Sequence, residues 1–319
     1  MKAIRFNSRS NPEFVKELRK RVNGYFKENK ISRYGNWNMK VKTIFMMSLY
    51  FAPYCVMLFG GVTNIWLFLG LWIVMGLGVS GIGLAVMHDA NHGAYSKNPK
   101  INKIVGYALN MVGGNAANWR MQHNVLHHTF TNIDGMDEDI APGKMMRFSP
   151  HQERLKIHRF QHIYAWFFYS LMTVSWMTQK DFTQLIRFKN TGLIDSQKAS
   201  FKALMIELII SKLIYFGYLL VIPMIFAPVA WYWVLLGFIL LLFVSGFVLA
   251  CIFQPAHVIP SSDYPLPDNT GNMDNDWAIH QLATTANFAP KSRIFSWFVG
   301  GLNFQIEHHL FPNICHVHY

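Results

Sequence analysis

The chemistry this sequence can do is concentrated in three histidine clusters. His88 and His92 bound the run His88-Asp89-Ala90-Asn91-His92, His123, His127 and His128 lie in His123-Asn124-Val125-Leu126-His127-His128, and His308 and His309 close Gln305-Ile306-Glu307-His308-His309. Residues four apart on a helix sit one above the other, so His88 with His92, and His123 with His127, can converge on one ion. Adjacent His127 and His128 point about 100° apart on a helix, which suits two ions better than one. Gln305 and His309 repeat the fourfold spacing while His308 faces aside. A single histidine near an apolar run is more often an ordinary hydrogen-bonded or headgroup-facing side chain. His151, His158, His162, His316 and His318 are read in that way.

Imidazole suits zinc, copper, nickel and iron alike, and spacing alone does not choose among them. No HExxH with a glutamate base is present, so a zinc-protease reading fails. Histidines at the mouth of apolar helices imply a substrate with a long hydrocarbon tail. Breaking an unactivated C–H bond needs a redox metal and oxygen, which zinc does not supply. Iron is the chemical expectation. Ligating histidines pass their other N–H to a carboxylate or carbonyl, and Asp89, Asp137, Glu138, Asp139 and Glu307 are candidates for that role. Asn118, Trp119 and Arg120 are candidates for a head-group contact or an interface anchor.

These clusters must be positioned by membrane helices. Among the 319 residues 52% are hydrophobic and only 14% charged, against about 25% charged in ordinary soluble domains. Apolar runs at about 41–60 and 66–87 reach the ~20 residues that cross the hydrocarbon as helix. Runs at 203–227 and 229–253 form a second hairpin about Pro228. One shared site requires an even number of crossings between residue 128 and residue 305. The shorter stretches 103–112 and 162–178 are therefore read as interfacial helices. The expected fold is an all-α integral membrane protein with four transmembrane helices and a cytosolic helical cap carrying a histidine-rich diiron site. Gly76, Gly78, Gly81 and Gly83 make the second span small-sided, suiting either a close neighbouring helix or a lipid chain. Residues 1–40 read as a cytosolic N-terminal region, with an amphipathic helix over 11–29 (Phe14, Leu18, Val22 and Phe26 on one stripe), and residues 41–319 as the membrane domain.

The balance of 29 Lys and Arg against 17 Asp and Glu is +12, and twelve of the basic residues lie between Lys2 and Lys42. That surface fits the cytoplasmic side beside anionic lipid, with both termini and the site on that side. No pattern of interleaved aromatic and basic residues argues for nucleic acid. Cys55, Cys251 and Cys315 form no paired framework.

The chain resembles the membrane fatty acid desaturases, specifically the group of linoleoyl-CoA and front-end (delta-6-like) acyl-lipid desaturases. The matching features are the boxes HDANH, HNVLHH and QIEHH, the last continuing as LFPNICHVHY, with the stretches Trp277–Ala289 and Gly300–Pro312. The resemblance covers nearly everything from Val41 onward. It implies that His88, His92, His123, His127, His128, His308 and His309 ligate iron, and it adds His257, in Gln254-Pro255-Ala256-His257, where related stearoyl-CoA desaturases carry a ligand. Gln305 stands where those enzymes have histidine, and is expected to contact the metal directly or through water, the alternative being that it acts only on the ligands around the metal. His280 is expected to be either a further ligand or a hydrogen-bonded cap residue.

The implied reaction is O2-dependent insertion of a cis double bond into a fatty acyl chain carried by CoA or by a lipid. Two Fe ions and O2 are the implied cofactors. The chain contains no HPGG haem motif, so the implied electron donor is external, a ferredoxin or a separate cytochrome drawn to the basic face. A fatty acyl or sphingolipid hydroxylase on the same scaffold is the nearest rival, distinguished by a product that gains oxygen instead of losing hydrogen. A transporter or metal-binding membrane protein would place polar residues within the spans, which here are nearly free of charge.

Overall fold

The computed structural model describes residues 4–319, and no strand occurs among them apart from an isolated pairing of Arg5 with Asn272. Four helices are long and apolar enough to cross a membrane: Trp37–Phe59, Ile65–Asn91, Phe201–Phe226 and Trp231–His257, of 23, 27, 26 and 27 residues. They are the four spans of an all-helical membrane fold. Three start on side-chain caps that satisfy otherwise unpaired backbone N–H groups: Asn36 accepts from Met39 N–H, Asn64 from Leu67 N–H and Ser200 from Ala203 N–H. The link between the first two spans turns at Gly61, where φ is +61°, a conformation glycine adopts at no steric cost.

The second and fourth spans form the centre of the bundle. Their most apolar windows are 56% and 50% buried within the protein, against 28% for the first and third, which flank them and turn Ile44, Leu213 and Ile214 outward. The small side of the second span admits helices, not a lipid chain. A Cβ on Gly76 would lie 2.9 Å from the Leu241 carbonyl of the fourth span, and one on Gly78 would lie 2.8 Å from the Tyr50 backbone of the first. Close backbone approach of this kind drives helix association where no hydrophobic gradient exists.

Both interfacial stretches fall into short pieces, and none is long and apolar enough to span. The first gives Pro99–Gly106 and Ala108–Met111. The second gives Gln161–Ser170, Met172–Ser175 and a π turn at Trp176–Lys180, continuing as Asp181–Asn190. The N-terminal helix Pro12–Glu28 half-buries Val15, Leu18, Val22 and Phe26, and Phe26 meets the His318 ring edge-on at 5.3 Å. Its apolar stripe thus faces the protein itself, and Phe14, expected on that stripe, is exposed instead.

π turns interrupt helices where the site is built. One covers Ile82–Val86, a residue before the helical turn that carries His88, and another covers Arg120–His127, most of the second histidine box. A π turn inserts one residue per turn and so re-aims every side chain after it.

Candidate metal centre

Four elements converge at the end of the bundle. The second span delivers His88 and, at its C-cap, His92. The helical run 116–130 carries His123, His127 and His128, the fourth span ends on His257, and the short helix Gln305–Leu310 brings Gln305, His308 and His309. His92 is half-buried at the edge, and the other eight residues are each at most 7% exposed.

The ring nitrogens sort into two groups able to hold a cation: His88, His92, His123 and His308 in one, His127, His257 and His309 in the other. His128 lies between them. Its Nε2 is 3.2 Å from His123 Nε2 and 3.0 Å from His308 Nε2, while its ring stacks on His309 at 4.4 Å. The fourfold spacing holds for His88 and His92 on an α-turn. In the second box the π turn brings His123 and His128, five apart, edge to face with their Nε2 atoms 3.2 Å apart, and His127 also joins the other all-histidine group. His123 and His127 come within reach of one ion only together with Asp139.

The groups around the rings leave nitrogens aimed inward. His127 Nδ1–H donates to both oxygens of Asp137 at 3.1 Å, His257 Nδ1–H to the Thr284 carbonyl at 3.1 Å, and His309 Nδ1–H to Gln281 Oε1 at 2.8 Å. Each bond puts the proton on Nδ1 and frees Nε2 for a ligand. His88 Nδ1 and Nε2, His92 Nε2 and His309 Nε2 are buried with no hydrogen-bond partner. Orphaned nitrogens at this density cost several kcal/mol in aggregate unless a cation satisfies them, by about 1–3 kcal/mol per group. The residues therefore fit a dinuclear metal site.

Electrostatics agree. Burial, and then repulsion among neighbouring rings, holds His92, His123, His128, His308 and His309 well below 6.5, in the neutral form that ligates. His127 differs: burial opposes its charge, but Asp137 and Asp139 outweigh it and raise the ring to about 9. The second proton, on Nε2, is the one a bound cation displaces.

His280 stands apart from both groups, with its Nε2 2.9 Å from the Thr131 carbonyl. It is a hydrogen-bonded cap residue. His151, His158 and His318 likewise bond backbone carbonyls of Tyr264, Lys144 and Tyr34. His316 is hydrogen-bonded too, but deep inside the protein: it is buried, donates from Nδ1 to Asp89 at 2.8 Å and meets Lys42 Nζ at 2.6 Å. Of the acidic candidates, Asp137 bonds His127, Asp139 lies 3.5 Å from the same Nδ1, and Asp89 bonds His316 while lying 3.7 Å from His88 Nδ1, whereas Glu138 takes Gln184 and Arg187, and Glu307 takes Asn287. Asn118 and Trp119 are no membrane anchors. Asn118 bonds the Asp181 carbonyl, and Trp119 stacks on His123 at 4.3 Å. Gln281 and Asn132, whose amide holds the His257 carbonyl at 3.0 Å, carried no signal in the sequence because their partners lie far along the chain.

A small cavity of about 20 Å³ lies among His88, His123, His127, His257, Gln305 and His308. Past Asp139 and Phe253 it meets an open groove of about 450 Å³, lined by Phe168, Tyr169 and Met172, by Ala250 and Phe253 of the fourth span, and by Lys180 and Arg187.

Residues 64–319 match the family model described as fatty acid desaturase. The chain is 37% identical over 312 residues to an sn-1 linoleoyl-lipid 6-desaturase of Synechocystis sp., covering 96% of this chain and 84% of the relative. It is 36% identical over 314 residues to the sn-1 linoleoyl-lipid 6-desaturase of Arthrospira platensis (96% and 82% covered), and 35% identical over 322 residues to an acyl-lipid (8-3)-desaturase of Physcomitrium patens (99% and 65% covered). Four apolar spans, two buried histidine groups and these likenesses agree: the chain belongs to the fatty acid desaturase family, whose O2-dependent, diiron-type oxidoreductases introduce a double bond into an acyl chain.

Proposed function

We propose that this protein forms a cis double bond in a lipid-bound acyl chain, on the carboxyl side of an existing one, using two iron ions held by His88, His92, His123, His127, His128, His257, His308 and His309. In this reading His88, His92, His123 and His308 serve one ion, His127, His257 and His309 the other, and His128 completes the shell from between them. The observation that carries it is the division of buried, inward-facing imidazoles into two adjacent groups. Gln305, buried and on the wall of the same cavity, is placed to contact either ion directly or through water.

When bound, the irons and O2 supply the oxidising power that removes two hydrogens from adjacent methylenes, O2 becoming two waters with two electrons from the chain and two from an external donor. The protein's residues position and protect. Asp137, Thr284 and Gln281 fix ring orientation at His127, His257 and His309. The apolar groove sheds water from the chain and aligns one bond with the centre, which is positioning chemistry.

A lipid carrier is favoured by the groove, whose Phe168, Tyr169 and Met172 wall belongs to the broken interfacial helix, and by the relatives named as acting on linoleoyl lipid. CoA is the other carrier to test. The basic N-terminal region supports a cytoplasmic side for both termini and the site, with residues 1–40 as the cytosolic region ahead of the desaturase domain, and favours an acidic ferredoxin or separate cytochrome as donor.

Fatty-acid profiling of a host that lacks such an activity, expressing this chain and fed linoleate, tests the reading. A new triunsaturated acid is expected, lost in His127→Ala and His309→Ala. A hydroxylated acid in its place would establish the rival oxygenase.

A further inference from the structure

A lysine within a membrane span is costly unless something specific uses its charge. Lys212 lies in the third span and is 5% exposed. Its ammonium donates to Asp181 Oδ2 at 2.8 Å, to the Gly113 carbonyl at 2.6 Å and to the Trp176 carbonyl at 3.1 Å. The other Asp181 oxygen accepts the indole N–H of Trp176 at 3.1 Å. One ion pair thus grips Trp176 at both main chain and side chain. The far edge of the indole is also confined, because a Cβ on Gly114 would come within 3.3 Å of its Cζ2.

Trp176 lies on the wall of a chamber of about 60 Å³. Asp139, Met172, Lys180 and Gln184 are shared with the outer groove, while Trp119, Gln122 and Trp176 line the chamber alone. His123 and Phe253 line both this chamber and the cavity among the histidines. A chain entering the chamber from the groove would therefore meet Trp119 and Trp176 beside His123. Trp119 is stacked on His123, so the indole that can be changed without touching the metal centre is Trp176.

We propose that Trp176, clamped by Asp181 and Lys212, is the depth stop of the acyl channel and sets which carbon–carbon bond lies at the metal centre. This rests on the reading of the groove as the route of the acyl chain. One methylene in an apolar pocket is worth about 10–200-fold in discrimination, so a stop of this kind should reject a chain that reaches one carbon too far by a similar factor.

The test uses the iron-loaded enzyme in lipid nanodiscs with acyl lipids of graded chain length. In Trp176→Leu the discrimination against the longer chain should fall by tenfold or more, or the double bond should move by at least one carbon, while Trp176→Phe stays near wild type. A second measurement covers the case in which Trp176→Leu is inactive. Acyl lipids brominated at the methyl end or near the carboxyl end quench nearby indoles, and the fluorescence lost in Trp176→Phe isolates the contribution of Trp176. That contribution should be quenched by methyl-end bromine and far less by carboxyl-end bromine. An unchanged bond position and chain-length preference in an active Trp176→Leu enzyme overturns the proposal, as does an inactive one whose Trp176 emission shows no methyl-end preference. A Phe168→Trp reporter at the groove separates the two levels. If it is quenched by bound acyl lipid while Trp176 is not, only the depth stop fails. If neither is quenched, the groove is not the route and both fall.

Discussion

Asp137→Asn isolates the carboxylate that orients His127. Asp137 is 1% exposed and accepts three donors: His127 Nδ1–H on both oxygens at 3.1 Å, Asn132 N–H at 2.9 Å and Asp139 N–H at 3.0 Å. Asparagine keeps the shape but offers one acceptor oxygen and an NH2 group. However the amide turns, one backbone N–H faces the NH2 and goes unpaired, at a cost of about 1–3 kcal/mol. Loss of the negative charge also weakens the hold on the Nδ1 proton and the basicity of Nε2. Removing such an outer partner costs about 10–100-fold in metal affinity, or about 1.4 to 2.8 kcal/mol. The assay is iron per polypeptide after equilibration against graded chelator, with turnover measured on the same samples. Asp139→Asn is the control, since Asp139 is 3.5 Å from Nδ1 and its side chain is 37% exposed. The expected result is loss of iron and of turnover in Asp137→Asn, with a smaller effect in the control. Wild-type affinity in Asp137→Asn, or an equal loss in Asp139→Asn, would refute the reasoning.

Lys212→Met should destabilise the protein by roughly 3–5 kcal/mol, because it strands Asp181 unpaired. Lys212→Met combined with Asp181→Leu should recover much of that loss, measured as the unfolding midpoint on titrating a denaturing detergent into a mild one. His280 is lowered from 6.5 to about 4, first by burial, with the Thr131 carbonyl and Asp137 working the other way. A ring that stays neutral when folded but takes a proton when unfolded leaves stability intact above pH 6.5 and removes it as pH falls toward 4. The loss is on the order of 3 kcal/mol. Thermal midpoints at pH 7.5 and 5.5 should therefore converge in His280→Asn relative to wild type, and an unchanged difference would count against the assignment.

The four spans were legible in the sequence because length and apolarity are local properties that the bilayer alone demands. The histidine boxes were legible for the same reason, since a dense cluster of one scarce residue type needs no neighbour to be noticed. Even the exclusion of 162–178 as a span followed from parity and flanking charge. Periodicity was incomplete where helices are not regular. The π turn at Arg120–His127 leaves His123 and His127 within reach of one ion together with Asp139 but also sets His127 with His257 and His309, and no hydrophobic pattern announces an inserted residue. Packing decided the rest. That the small face of the second span meets the first and fourth helices is a matter of which backbones touch, as is the burial of His316 between Asp89 and Lys42. Gln281 on His309 and Asp181 on Lys212 join residues 28 and 31 positions apart, and a side chain's partner at that separation is chosen by the folded bundle. Composition and spacing by themselves determined a membrane protein with enough histidine for two metal ions. Only the tertiary structure decided which nitrogens face each other, because ligation depends on angles and ångströms between elements that the sequence holds apart.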